Sequence, residues 1–479
     1  MNYPYALPCL ILAVFTTPLS AQLPDSPTGR GGNAVIQMFK DGPSSVTESF
    51  MEEKFSQEFL AATSLAERQE WLSQAVDRIG PLELRGVEKT GQFEALISGL
   101  SSKTGGKVKI QYEVADSPPH PIVLLEIDEG TGAPPRQLTQ AEMVAEATTY
   151  LDELSTDEFS GTVLVAKGDE VLFEKATGLA SRRYAVANNM DTLFNLGSIN
   201  KIFTKIAIAQ LAAQDKLGFE DTVAQHLPDY PNREVAEKIT IQQVVTHSAG
   251  LGDIFTEEFG NTPKERFQTP RDYFDLFANQ ELLFEPGTSE RYSNGGYMVL
   301  GAIIEAISGL TYDEYMQESI FEPAGMTATG SFPMNEPVPN LAKGYTQQVP
   351  GEHDDEDHHG HGPDPTAPWR ENSFMIPFTG TPAGGGYSTA ADLLRFRHAL
   401  VGSKLLDARY TAWVVTNQLP AEAPAENRMG IGIAGGGPGV SAALEIGDEY
   451  TIIALANIDP PSTSNVTRHL RELVESVVD

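Results

Sequence analysis

The stretch LFNLGSINKIFTKIAIAQL holds a serine and a lysine three residues apart, Ser198 and Lys201. A serine hydroxyl is a weak nucleophile until a neighbouring base takes its proton. A lysine serves as that base only where burial or nearby positive charge favours its neutral form. About ninety residues later the chain reads EPGTSERYSNGGYMVLGAIIEAISG, with Tyr292, Ser293 and Asn294 in succession. A tyrosine beside a lysine can share a proton and pass it to a leaving group. An asparagine amide can hold both a lysine and a substrate carbonyl. Each motif also has a plain structural reading. S-x-x-K occurs in capped helices with a snorkelling lysine, and Asn-Gly is a strong turn signal.

The elements around these residues favour chemistry. Ile199, Ile202, Phe203, Ile206 and Leu211 recur at helical spacing, and Ala207, Ile208, Ala209 and Ala212 fill the other faces. A helix apolar almost all round is buried. Ser198 is expected in its first turn, sharing a face with Lys201. A lysine on a buried helix is costly unless partnered. The helix N-terminus also offers backbone N–H groups to an oxyanion formed at Ser198. A second apolar helix is expected directly after Asn294.

Taken together and in order, these stretches resemble the serine β-lactamase-related hydrolases: class C β-lactamases, DD-carboxypeptidases, D-aminopeptidases and their esterase relatives. The resemblance runs over roughly residues 145–479. It is carried by FNLGSINKIFTKIAIAQL, ITIQQVVTHSAGL, FEPGTSERYSNGGYMVLG, FEPAGMTATG and PAGGGYSTAADLLRF. It implies Ser198 as the acylated nucleophile, Lys201 and Tyr292 as the general base/acid pair, and Asn294 as a positioning group. His247 is read as structural, with a Ser–His role a minor option. Gly384, Gly385, Gly386 and Ser388 either line the pocket or simply lead into a helix capped by Thr389 and Asp392.

One departure stands out. The family's third motif is a Lys or His, one residue, then Gly. The corresponding text here is GIGIAGGGPGVSAALEI, which sets Ile433 in the place of the cation and Gly435 in the place of the glycine. The resemblance makes that cation the contact for a substrate carboxylate, so its loss argues against β-lactam and peptide-carboxylate substrates. The N–H of Gly436 remains able to complete an oxyanion hole with that of Ser198. Gly430, Gly432 and Gly435 also spell G-x-G-x-x-G. That pattern counts only between a strand and a helix, and Pro438-Gly439 with a strand-like run follows instead.

The rest of the chain bounds the reading. Its 479 residues carry a formal net charge of −33, which argues against nucleic acid or an anionic membrane surface as partner. Residues 1–21 read as a signal peptide, with ALPCLILAVF as its apolar core and LSA before a cleavage point. Cys9 is the one cysteine, so the mature chain would have no thiol chemistry. No later apolar run is long enough to span a membrane, so stable insertion after signal removal is not expected. Periplasmic or secreted localisation follows.

Residues 34–130 read as a small α+β domain, with helices around Val46–Leu60 and Leu65–Ile79 and then four alternating runs. It weakly resembles cystatin-like or NTF2-like domains, and its role and partner are unknown. Residues 131–139 form a linker. Residues 140–479 form the hydrolase domain. Its fold class is α+β: an antiparallel sheet built from both ends of the segment, flanked by helices, with a helical subdomain between. Residues 350–365, PGEHDDEDHHGHGPDP, hold four of the nine histidines and read as a solvated insertion rather than a metal site.

The function expected is hydrolysis of a small-molecule ester or amide through an acyl-enzyme, esterase-like in preference. The alternatives are a peptidoglycan-type DD-peptidase, D-aminopeptidase or β-lactamase, and, in another class, a non-catalytic binding or scaffold homologue. No metal and no organic cofactor is implied.

Overall fold

The protein is described by a computed structural model over residues 26–56, 59–60, 65–89, 93–115, 118–129, 137–348, 366–422, 430–447 and 449–477, with the short pair Leu12–Ala13. The expected signal segment and the 350–365 insertion lie outside the described residues apart from that pair. The chain forms two compact units, Gln140–Glu475 and Leu12–Thr139 with Ser476–Asp479.

The smaller unit opens with helix α1 (Pro27–Asp41), followed by α2 (Glu48–Lys54) and α3 (Leu65–Ile79). Strands β1 (Leu82–Lys89), β2 (Glu94–Ser101), β3 (Lys107–Val114) and β4 (Ile122–Glu129) pair in sequence order as an antiparallel sheet. The four strands fall on the four alternating runs. α3 stops where expected, at Gly80, whose φ of +68° suits only glycine without strain.

Helix α1 corrects the sequence reading, which began the unit at residue 34 and predicted no helix here. Gly29, Gly31 and Gly32 are poor helix formers. Tertiary contact overrides them. A side chain at Gly31 would meet Val114 Cγ1 at 2.7 Å, so the glycine lets the helix lie close on β3. Ser26 caps its first turn, Pro27 occupies its first position, and the Tyr112 hydroxyl donates to the Thr28 carbonyl at 2.8 Å. The helix expected around Val46–Leu60 is not continuous: α2 ends at Lys54, Phe55 and Ser56 are non-helical, Phe59 and Leu60 are helical again, and a 3₁₀ turn at Pro43–Ser45 precedes α2.

The larger unit begins with α4 (Gln140–Glu153) and the hairpin β5 (Gly161–Lys167) and β6 (Glu170–Thr177). Gly168, at φ +57°, makes the hairpin's turn. Helix α5 (Asn200–Ala213) follows a 3₁₀ turn at Gly197–Ile199. Next come α6 (Asn294–Ser308), α7 (Ala390–Val401) and α8 (Ala408–Thr416). The unit closes with β7 (Ile431–Gly437), β8 (Val440–Ile446), β9 (Tyr450–Ala456) and α9 (Ser462–Val474).

Strands from the two ends of this unit join in one antiparallel sheet of order β7-β8-β9-β5-β6. β9 and β5 pair from Tyr450↔Lys167 to Ala456↔Gly161. A side chain at Gly161 would fall on the Leu455 carbonyl, which explains the glycine at that join. α9 packs on β8 and β9, and Tyr150 of α4 stacks on His469 with ring centroids 3.9 Å apart. Helix α5 is buried along nearly its whole length, as its all-round apolarity predicts. Gly430, Gly432 and Gly435 lie at and along β7, which turns back at Pro438-Gly439 into β8, so no dinucleotide-binding unit exists here. Among the described residues no single helix is long and apolar enough to cross a membrane.

Candidate active site

Ser198 sits in the 3₁₀ turn that runs straight into α5, one step before the helix rather than in its first α-turn. Two glycine-rich segments clamp this turn. On one side, Leu196 donates its N–H to Gly386 O at 2.8 Å and Gly385 donates to Gly197 O at 3.3 Å. On the other side lies β7. A side chain at Gly435 would fall 2.0 Å from Leu196 O and 2.9 Å from Ser198 N, and one at Gly197 would fall 2.9 Å from Gly436 N. Glycine is therefore required where strand and turn meet. The amide nitrogens of Ser198 and Gly436 both belong to this strand–turn junction.

Lys201 is the second residue of α5, one turn on from Ser198, and is 6% exposed. Its ammonium donates to Asn294 Oδ1 at 2.8 Å, to the Ala383 carbonyl, and to Ser198 Oγ at 3.3 Å. The Tyr292 hydroxyl lies 2.7 Å from Ser198 Oγ, and Lys201 Nζ sits 4.7 Å from the Tyr292 ring centroid. The structure thus brings together Ser198, Lys201, Tyr292 and Asn294. Gly384–Gly386 packs against Gly197 and Asn200 of the nucleophile segment, and Thr389 caps α7 through the Asp392 N–H at 3.1 Å. The helix-start reading describes this segment; its glycines support the nucleophile turn, and neither they nor the fully buried Ser388 are among the residues lining the cleft at Ser198.

The YSNGG run is a helix start, not a plain turn. Ser293 caps α6, accepting from Gly296 N at 2.9 Å and donating to Gly252 O at 2.7 Å. Its own N–H donates to His247 Nδ1 at 3.1 Å. The His247 ring stacks on Tyr292, centroids 4.5 Å apart. Burial, with the charges of Lys201 and Lys205 nearby, pushes the His247 pKa down to about 3, so the ring is neutral at physiological pH. The hydroxyl of Ser198 bonds Tyr292 and Lys201, not His247. His247 is a prop for the tyrosine loop, with its backbone at φ +59°.

Sequence reasoning missed two residues here. Asp253 accepts from the Asn294 N–H at 2.8 Å and from its side-chain Nδ2 at 3.0 and 3.2 Å. This holds the amide with its oxygen toward Lys201. The other is Lys205, 2% exposed, whose ammonium donates to Val414 O at 2.6 Å and to Asn417 Oδ1. Burial pushes its pKa down to about 7. A second lysine four residues after the first, inside an otherwise apolar run, was the available signal. For Asp253 the signal was weaker: a lone acid two residues beyond THSAGL.

Ile433 is buried and lines the cleft at Ser198 together with Ile202, Val414 and Ile431. The cation expected of the third motif is replaced by an apolar wall. Among the described residues no three His, Cys, Asp or Glu side chains are grouped to hold a metal.

Comparison with known proteins agrees with this architecture. The beta-lactamase family model matches residues 147–475. A penicillin-binding protein of Bacillus subtilis (strain 168) is 32% identical over 251 residues, covering 51% of this chain and 52% of that protein. The chain thus spans about half the length of this relative. The solved structure of a penicillin-binding protein from Bacillus halodurans superposes with a TM-score of 0.57 at 25% identity, over 70% of this chain and 99% of that one. A D-amino acid amidase from Ochrobactrum anthropi SV3 shares the fold, with a TM-score of 0.54 at 20% identity over 70% of this chain and 97% of that one. The chain belongs to the beta-lactamase family of serine hydrolases.

Proposed function

We propose that the protein hydrolyses an uncharged ester through an acyl-enzyme on Ser198. The observation that carries this is the close triangle of Ser198 Oγ, Tyr292 OH and Lys201 Nζ, at 2.7 and 3.3 Å, with Asn294 locked beside it. Ser198 Oγ attacks the carbonyl carbon, and its proton passes to the Lys201–Tyr292 pair. The N–H groups of Ser198 and Gly436 hold the oxyanion. Tyr292 returns a proton to the leaving oxygen, and water then attacks the acyl-enzyme to release the acid. Ile433 supports an uncharged substrate, since a carboxylate set against it would be desolvated without a partner.

A D-amino-acid amide or peptide is the second reading, supported by the names of the amidase and penicillin-binding relatives. A non-catalytic scaffold role has less support, because the whole constellation is in place. We place the protein outside the cytoplasm, a reading supported by the apolar run at residues 6–15 and by Cys9 being the chain's one cysteine. The test is p-nitrophenyl butyrate hydrolysis by wild type and Ser198→Ala. Loss of the nucleophile should cost ~10⁴-fold or more in turnover with the circular dichroism spectrum unchanged. Activity within tenfold of wild type would refute the assignment.

A further inference from the structure

The cleft at Ser198 does not stop at the reacting groups. Ser198, Lys201, Ile202 and Lys205 succeed one another along α5 and its leading turn, and all four line the cleft. Facing them are Val414 and Val415 of α8 and Ile431 and Ile433 of β7. Lys205, whose ammonium is tied to Val414 O and Asn417, is a charged residue of this apolar stretch. The cleft is narrow: it offers about 30 Å³ to water-sized groups, room for roughly two of them.

We propose that this narrow, largely apolar cleft is the leaving-group pocket and that it takes a short, unbranched alkyl alcohol. The proposal rests on the ester-hydrolase reading above. Its direction follows from proton transfer. When the carbon–oxygen bond to the alcohol breaks, its electron pair goes to the departing oxygen. That oxygen takes a proton from Tyr292 OH, while the acyl group stays on Ser198 Oγ. Lys201 then reprotonates Tyr292. A proton donor must lie within hydrogen-bond reach of the atom it serves. The alcohol oxygen therefore lies on the Tyr292 side, and Tyr292 is one of the residues lining this cleft. The carbon chain on that oxygen continues between Ile202 and the Val414–Ile433 wall. A methyl or ethyl group replaces water against apolar surface. A longer chain must either overpack the cleft or displace the hydrogen bonds of Lys205, and both are costly. The proposal sets the acyl chain outside this cleft, so its length meets no such limit.

The experiment uses the full-length protein and two ester series followed by pH-stat: butyrates of methanol to octanol, and ethyl esters of acetic to octanoic acid. In wild type, kcat/KM should fall by about tenfold or more from ethyl to octyl butyrate, the scale set by misfitting methylenes. Across the ethyl esters it should vary by less than about threefold. Ile433→Ala should flatten the alcohol series and shift all the ethyl esters by a common factor, so that their spread stays below about threefold. Val415→Phe covers the case in which the first variant does not fold, and should lower turnover of ethyl butyrate by about tenfold through obstruction. Ser198-dependent turnover with a flat alcohol series, or an effect of Ile433→Ala on the spread of the acyl series alone, overturns the pocket while leaving the hydrolase reading intact. No turnover of any ester together with no labelling of Ser198 by a fluorophosphonate overturns both.

Discussion

The segment Thr379–Ala383 touches the surroundings of two depressions of different character: Ala383 O holds Lys201 of one, and Thr379–Pro382 lines the other. The first is an apolar cleft with two buried lysines. The second is a roomier cavity of about 170 Å³ that also includes Tyr273, Tyr312, Glu305 and Asp313. Burial raises the carboxyl pKa values of Glu305 and Asp313, as it lowers those of Lys205 and His247 in the first. Shifted titration is thus common to both. What separates them is a nucleophile. Of the two, the narrower cleft holds a hydroxyl in contact with both a lysine and a tyrosine, and there we place the chemistry. Room and perturbed acids do not make an active site without a group to attack.

Substitutions at the two depressions should therefore differ in kind. The largest effect is expected for Lys201→Met, which removes the base but keeps the packing. Turnover of ethyl butyrate should fall by ~10³-fold, within the usual range for general acid–base groups. Asp253→Ala should cost about 10²-fold in kcat by freeing the Asn294 amide to rotate away from Lys201, and Asp253→Asn should recover part of it. A pH–kcat profile shifted for Asp253→Ala but not for a destabilised control would mark positioning rather than mere loss of fold.

Lys205 should show itself in stability against pH. Its folded pKa of about 7 lies below the unfolded value of 10.5, so between those limits the unfolded chain binds more protons. Wild-type stability should therefore gain, relative to Lys205→Met, as pH rises from 7 to 10.5, and the difference should be constant below 7. Thermal melts of both proteins across that range check it. The smallest effect belongs to the roomier cavity. Glu305→Gln should change ester turnover by less than about twofold, because that cavity is lined by none of the reacting groups.

Much of the site was legible because its parts lie in short runs. Ser198 and Lys201 share one helical face three residues apart, and Tyr292 and Asn294 flank the cap of a second apolar helix. The departure at Ile433 was legible by counting from Pro438-Gly439. The partners that hold these groups still were not. Asp253 reaches Asn294 across 41 residues and the Ala383 carbonyl reaches Lys201 across 182. Such pairings exist only once the chain has folded. The glycines divide the same way. Gly80 and Gly168 announce a helix end and a turn through local backbone need. Gly31 looks like a helix breaker until the ring of Tyr112 and the side chain of Val114 lie against it. Gly435 is required by the Leu196 carbonyl, which no local pattern reveals.

The central claim is that Ser198 Oγ forms the covalent intermediate. Labelling with a fluorophosphonate, followed by digestion and peptide mass mapping, tests it most directly. One adduct per chain is expected, on the peptide carrying Ser198, and none on Ser198→Ala. An adduct on Ser248 or Ser388 instead, or no adduct on folded protein that still hydrolyses ester, would contradict the account.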